Sequence, residues 1–127
     1  MTATALVTSF ALIEYLWIAF SVGQARGRYG VAAPATTGNE TFERWFRVQQ
    51  NTLEQLVVFL PSLWLFGLYV NGRLGALIGL VFVAGRYLYV RGYVEDPEKR
   101  GRGFMIGFVA TAVLLAGGVI GALWRIL

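Results

Sequence analysis

Four long apolar runs divide the chain, with polar connections between them. They cover roughly residues 4–25, 42–70, 73–93 and 103–125. A helix needs about 20 apolar residues to cross the hydrocarbon core of a bilayer, and each run reaches that length. The pattern therefore predicts an all-α, integral membrane four-helix bundle that forms a single domain over residues 1–127.

The three connections differ in length and composition. The first, QARGRYGVAAPATTGNET, is rich in Gly, Pro and Thr and predicts an ordered loop, with Asn39 or Thr41 as the N-cap of the second helix. The pair Asn71-Gly72 predicts a tight turn, so the second and third helices should form an antiparallel hairpin. In the third connection, VEDPEKRGRG, Pro97 is expected to end the third helix.

Small residues recur at four-residue spacing on two of the predicted helices. Gly75 and Gly79 form one pair and Gly117 and Gly121 form the other. Such pairs let two membrane helices approach closely. The spacing does not distinguish packing within one subunit from packing between subunits.

Composition supports the membrane class and limits the chemistry. Charged residues make up 14% of the chain, against about 25% in an ordinary soluble domain, and the mean hydropathy is +0.60. The chain has no Cys and no His, which excludes catalysis by a protein thiolate or imidazole, disulfides and the usual zinc sites. No metal site is expected, and any chemistry must use Arg, Tyr, carboxylates and amides, or a group supplied by a substrate.

The basic residues predict an orientation in the membrane. Only Arg73 and Arg125 fall on the side of the second loop, whereas the other Lys and Arg residues lie on or near the first and third loops. The positive-inside rule then places the first and third loops in the cytoplasm and both termini on the opposite side. Because these charges belong to membrane ends, nucleic-acid binding is not expected. The first run lacks the basic leader of a cleaved signal peptide and contains Glu14, so it is expected to be a retained helix.

The segment ERWFRVQQNTLE places unusual polarity at the start of the second apolar run. Arg44, Arg47, Asn51 and Glu54 follow one another at spacings of three, four and three, which puts them within an arc of about 80° on a helix. An ionisable group at the bilayer centre costs on the order of 2.5–3.5 kcal/mol, so this stripe should face a protein interior or a wet cavity. Alternatively, Arg47 and Glu54 neutralise each other and only hold helices together.

A second polar face lies on the third predicted helix. Arg86, Tyr89 and Tyr93 are spaced three and four residues apart and lie at the same membrane end as the stripe on the second helix. A single Tyr there would be read as an interfacial anchor. Together, the two faces would offer guanidinium groups for carboxylates, a carboxylate for an amine, and amides and phenols for peptide groups. Such a pocket suits a small, zwitterionic, peptide-like anion.

These residues resemble a known family, the membrane-associated proteins in eicosanoid and glutathione metabolism. The family includes microsomal glutathione transferases and the leukotriene-forming synthase. The segment ERWFRVQQNTLE matches the family pattern E-R-x-x-R-x-Q-x-N-x-x-E at every fixed position. The segments APATTG before it and RYLYVRGYVEDPEKR after it are similar as well, and the resemblance runs from about Arg26 to Leu123.

The resemblance implies a homotrimer of four-helix subunits that binds glutathione as co-substrate between neighbouring subunits, near the cytoplasmic face. It implies a transferase that joins the glutathione thiol to a lipophilic electrophile, with peroxidase activity toward lipid hydroperoxides as a second reaction. The implied glutathione contacts from one subunit are Arg47, Asn51, Glu54, Tyr89 and Tyr93, with Arg26 and Gln49 from the neighbour. Arg100, in PEKRGRG, matches the arginine that holds the thiol as thiolate.

Two positions depart from the family pattern. Gln55 stands where family synthases often have Tyr directly after the last Glu of the motif. Gly27 stands at the position of a second arginine that leukotriene synthases use, and the nearby Arg28 is not equivalent to it. Leukotriene-type chemistry is therefore not expected.

Two other functions are compatible with parts of the sequence. A non-catalytic, lipid-binding or scaffolding member of the same family would be marked by loss of the glutathione contacts, yet nearly all of them are present. A small four-span proton-coupled exporter could use Glu14 as its carboxylate. Exporters that insert in both orientations need a weak Lys/Arg bias, whereas the bias here is strong.

Overall fold

The computed structural model describes all of residues 1–127, which form four long helices and one short turn of 3-10 helix. The helices are α1 (Thr2–Tyr29), α2 (Glu40–Tyr69), α3 (Gly72–Glu95) and α4 (Gly101–Ile126), with the 3-10 turn at Pro97–Arg100. Each of the four is long and apolar enough to cross a membrane. The predicted all-α bundle of four helices, each able by length and composition to span a membrane, is confirmed.

The first helix is longer than the sequence predicts. The residues from Gln24 were expected to begin a loop, but α1 continues to Tyr29 and ends at Gly30, which adopts the left-handed conformation with φ 69°. Gly27 does not break the helix, because one interior glycine costs only about 1 kcal/mol. Arg26 and Arg28 lie in the last turn, where positive charge is favourable to the helix dipole. The first loop is therefore only residues 30–39.

Side-chain caps define the remaining helix boundaries. Asn39, rather than Thr41, is the N-cap of α2, and its Oδ1 accepts from the backbone N–H of Phe42 at 3.0 Å. Asn71 caps α3 in the same way, which confirms the tight turn of the α2–α3 hairpin. The break expected at Pro97 is also present, since α3 ends two residues earlier.

The core of the bundle receives side chains from all four helices. Val7 of α1, Phe59 of α2, Phe82 of α3 and Leu114 of α4 belong to one buried cluster. The rings of Phe59 and Phe82 stack with centroids 3.8 Å apart. Many large apolar side chains instead point outward, as lipid-facing residues would, among them Leu16, Phe20 and Ile120.

The paired glycines pack within the bundle. A Cβ on Gly75 would lie 2.9 Å from the ring of Phe66, and a Cβ on Gly117 would lie 2.5 Å from the same ring. On Gly121 it would lie 2.6 Å from the carbonyl oxygen of Tyr69. The small residues of α3 and α4 therefore allow close contact with α2 of the same chain.

The first and third connections meet at one end of the bundle, called here the site end. The guanidinium of Arg44, at the beginning of α2, donates to the carbonyl oxygens of Val94 at 3.2 Å and Glu95 at 3.1 Å, at the end of α3. It also pairs with the carboxylate of Glu40 at 2.9 Å. Arg44 thus caps α3 and joins two helices at the site end.

Candidate functional site

A polar cavity of about 390 Å³ lies at the site end, between α2, α3 and the beginning of α4. Its volume is within the range of about 300–1,000 Å³ that is usual for small-molecule sites. The lining residues are Asn51, Glu54, Gln55, Arg86, Tyr89, Arg100 and Phe104. Most of these side chains are polar although the surrounding helices are apolar.

The cavity brings together four of the site residues implied by the resemblance: Asn51, Glu54, Tyr89 and Arg100. The side-chain amide of Asn51 donates to the hydroxyl of Tyr89 at 2.7 Å, which links α2 to α3 across the cavity wall. The ring of Tyr89 is buried in a small cluster with Ile18 and Val48. Apolar packing therefore sets the ring position, and the hydrogen bond orients the hydroxyl.

Tyr93 lies one turn beyond Tyr89 and does not itself line the cavity. The centroids of the two rings are 5.6 Å apart. The guanidinium carbon of Arg100 lies 5.9 Å from the centroid of the Tyr93 ring. Tyr93 thus lies close to two residues that line the cavity, Tyr89 and Arg100.

Arg100 carries a positive charge that no acidic side chain neutralises. Its Nη1 donates to the carbonyl oxygen of Pro97, and it forms no ion pair. The adjacent Lys99, in contrast, pairs with the carboxylate of Glu95 at 2.7 Å. Because an arginine stays protonated at any physiological pH, Arg100 presents a permanent cation at the cavity.

Besides Tyr93, three more residues implied by the family resemblance do not line this cavity. Arg26 donates to the carbonyl oxygen of Ala35 at 2.7 Å, and its guanidinium carbon lies 4.7 Å from the ring centroid of Phe42, so it organises the first loop. Arg47 is exposed and forms no ion pair with Glu54, which removes the alternative that these two merely neutralise each other. Gln49 is half-buried on another face of α2.

The structure adds three lining residues to the set implied by the resemblance: Gln55, Arg86 and Phe104. Arg86, which the helical spacing placed on the pocket face, is only 2% exposed, and its Nη1 has no hydrogen-bond partner. Its guanidinium carbon lies 4.1 Å from the centroid of the Tyr89 ring. Phe104 was not anticipated, because nothing but its position one turn after Arg100 distinguishes it from the other apolar residues of α4.

The cavity combines groups suited to both charges of a zwitterion. Arg86 and Arg100 offer guanidinium groups, and Glu54 offers a carboxylate. Asn51 and Gln55 supply amides that can donate to or accept from peptide groups. Gln55 lies on the cavity wall, so having Gln where family synthases often have Tyr changes the lining of the cavity.

Comparison with known proteins decides the family. The sequence profile of the MAPEG family matches residues 4–120, which is nearly the whole chain. This chain belongs to the MAPEG family. All the residues that line the cavity fall within the matched region of this MAPEG chain.

Relatives of this MAPEG protein come from bacteria and from animals. It is 48% identical over 122 residues to an uncharacterized protein of Synechocystis sp., covering 96% of this chain and 89% of that protein. It is 39% identical over 117 residues to Microsomal glutathione S-transferase 2 of Homo sapiens, covering 92% and 80%. It is 34% identical over 119 residues to Leukotriene C4 synthase of Cavia porcellus, covering 94% and 79%. The resemblance found in the sequence is confirmed.

Proposed function

We propose that this protein is a glutathione transferase of the membrane that activates the glutathione thiol as thiolate and delivers it to a lipophilic electrophile. Reduction of lipid hydroperoxides is a second reaction open to the same thiolate. The observation that carries the proposal is the cavity, because it assembles Asn51, Glu54, Tyr89 and Arg100 from two helices and a turn. Family membership and relatives named as glutathione transferases support it.

The cavity offers a partner for each part of glutathione. The carboxylate of Glu54 suits the α-amino group, and the amide of Asn51 and the hydroxyl of Tyr89 suit the peptide bonds. Arg47, exposed at the same end, suits a carboxylate, since guanidinium and carboxylate can pair through two parallel hydrogen bonds. Tyr93 closes the binding site at its outer edge.

Arg100 supplies the chemistry. A free thiol titrates near pH 8.5, so only a few per cent is ionised at neutral pH. A guanidinium a few Å from the sulfur favours the anion, and each unit by which the thiol pKa falls corresponds to about 1.36 kcal/mol. The thiol proton leaves to solvent, the sulfur attacks the electrophilic carbon, and the leaving group departs as the C–S bond forms. With a hydroperoxide, the thiolate attacks the outer peroxide oxygen and releases the alcohol, and a second glutathione then condenses with the sulfenic acid to give glutathione disulfide and water.

An apolar path leads from the lipid to the cavity. Phe104 lines the cavity, and its ring stacks on that of Phe108 with centroids 5.9 Å apart. Both rings are exposed on the outer surface of α4. A lipophilic electrophile could therefore approach the thiolate from within the bilayer.

The active assembly proposed here is a homotrimer. Arg26 and Gln49 lie away from the cavity of their own chain, which is what a site completed by a neighbouring subunit requires. The basic residues at the site end support an orientation with the first and third loops in the cytoplasm, where soluble glutathione is available, and the termini on the opposite side. Native mass spectrometry of the detergent-purified protein tests the trimer, and any other stoichiometry contradicts it.

The test of function is glutathione binding with detection of the thiolate. Purified protein should bind glutathione and develop the ultraviolet absorbance of a thiolate, and Arg100→Ala should lose this absorbance while still binding. Arg102→Ala is the matched control, because Arg102 is an exposed arginine two residues away that does not line the cavity. Failure of the wild-type protein to bind glutathione at millimolar concentration would contradict the proposal.

A non-catalytic, lipid-binding member of the family is the second candidate, since the outer surface is broadly apolar. Conjugation of chlorodinitrobenzene separates the two candidates. Glutathione binding without any conjugation would favour the non-catalytic protein. Family membership favours both over a proton-coupled exporter that uses Glu14.

A further inference from the structure

Arg86 is a buried cation in the middle of the membrane-spanning region of α3. It is 2% exposed, and its Nη1 has no hydrogen-bond partner although it lies at the wall of the cavity. An unpaired buried ion costs several kcal/mol. A charge of opposite sign must therefore lie nearby.

The packing of α1 against α3 indicates where that charge lies. Both helices run toward the site end, so they are parallel neighbours. Near their beginnings, Val7 contacts Gly79, where an added Cβ would lie 2.7 Å from the Val7 side chain. Near their ends, Ile18 and Val90 belong to one buried cluster. The two residues of each pair are separated by the same number of positions in the sequence, so the register is constant along the contact.

Glu14 of α1 and Arg86 of α3 are separated by that same number of sequence positions, and they lie between those two pairs. Glu14 is half-buried on α1, and the constant register places it beside Arg86 of α3. The two groups do not form a short ion pair. Glu14 can therefore offset the charge of Arg86 without occupying its free N–H.

On the far side, Arg86 contacts the residues of the cavity. Its guanidinium carbon lies 4.1 Å from the centroid of the Tyr89 ring, within the range of a cation–π interaction. Tyr89 in turn accepts the hydrogen bond from Asn51. Arg86 thus lies between α1, which does not line the cavity, and Tyr89 and Asn51 on the cavity wall.

We infer that Glu14 is a positioning residue for the binding site. It balances the charge of Arg86 from behind the wall, so that the guanidinium stays at the cavity and donates to a carboxylate of the ligand. This inference rests on the proposed function, because it takes glutathione as that ligand. Glu14 acts only through Arg86 and touches neither the thiol nor the electrophile.

The experiment is a double-mutant cycle on glutathione binding, with the dissociation constant and melting temperature of the full-length protein in detergent measured for every variant. A hydrogen bond to a charged group is worth about 1.5–3 kcal/mol, so Arg86→Gln should weaken binding at least about tenfold. Glu14→Gln should weaken it by a similar or smaller factor. The double variant should bind no more weakly than Arg86→Gln alone, because the two residues act in series.

The matched control is Ser21→Ala. Ser21 is buried on α1, but its hydroxyl bonds only to the carbonyl oxygen of Trp17 in its own helix, at 2.9 Å. This change should leave glutathione binding as it is. Arg86→Lys keeps the positive charge opposite Glu14, so it should fold, yet it should bind glutathione more weakly because the planar donor group is lost.

The outcomes separate this inference from the proposed function. Glu14→Gln with wild-type affinity, effects that add in the double variant, or Arg86→Lys with wild-type affinity would each overturn the inference and leave the proposed function standing. Wild-type protein that does not bind glutathione would overturn both.

Discussion

The side-chain amide of Asn51 donates a hydrogen bond of 2.7 Å to the hydroxyl of Tyr89. This bond joins two helices whose polar faces each look out of place in an apolar chain. Neither face is complete alone, because α2 carries the amides and Glu54 while α3 carries the phenols and Arg86. The bond therefore joins the two helix faces that together form the cavity wall.

Tyr89→Phe removes this hydrogen bond and leaves the buried ring. We expect a several-fold rise in KM for glutathione and a small loss of stability, since a single hydrogen bond contributes about 0.5–1.5 kcal/mol. Steady-state kinetics and thermal unfolding in detergent measure the two effects. Tyr87→Phe is the control, because Tyr87 is exposed and packs on Trp17 away from the cavity. An unchanged KM for Tyr89→Phe would show that the hydroxyl does not contribute to binding.

Arg100→Ala should change the pH dependence of conjugation. In the wild-type protein the guanidinium keeps the thiol ionised at neutral pH, so the rate should be nearly constant from neutral to alkaline pH. Without it, only a few per cent of the thiol is ionised at neutral pH, so the rate there should fall about thirtyfold. It should then recover as the pH rises through about 8.5, the ordinary titration range of a thiol. If the two rate profiles had the same shape, Arg100 would not be the thiolate-stabilising group.

Replacement of Arg44 should lower the stability of the protein, whereas replacement of Arg47, three residues later, should weaken glutathione binding. Arg44→Ala removes the hydrogen bonds to the carbonyl oxygens of Val94 and Glu95, so it should lower the melting temperature. Arg47→Ala removes an exposed side chain without an ion pair, so it should preserve the melting temperature and weaken glutathione binding. Each variant serves as the control for the other. A stability loss confined to Arg47→Ala would contradict this assignment.

Gly103 is the point where α4 approaches α3 most closely beside the cavity. A Cβ there would collide with the backbone of Tyr89 and Gly85. Overpacking of this kind costs about 1–3 kcal/mol, so Gly103→Ala should lower both the melting temperature and the affinity for glutathione. Gly101→Ala is the matched control, since a Cβ on Gly101 meets nothing within 4 Å. Equal behaviour of the two variants would exclude close helix contact at Gly103.

Much of the architecture could be predicted from the sequence because its causes are local. Four apolar runs of membrane-spanning length, the capping side chains of Asn39 and Asn71, and the break at Pro97 depend on neighbours within one turn. Helical periodicity also placed Asn51 and Glu54 on one face of α2, and Tyr89 on the polar face of α3. Where local signals misled, as in the segment from Gln24 to Tyr29, glycine and arginine suggested a loop but the helix tolerates both.

The sequence did not predict which residues each helix face contacts, because those contacts join segments that are distant in the sequence. The sequence by itself determined the four helices, their hairpin, the polar stripe and the family pattern. Only the tertiary structure decided that Arg44 leaves the stripe to cap α3, that Phe104 reaches the cavity, and that Arg86 is buried at the cavity wall. The physical reason is that periodicity specifies which residues share a helix face, whereas the register between two helices is set by the glycines and large side chains that pack between them.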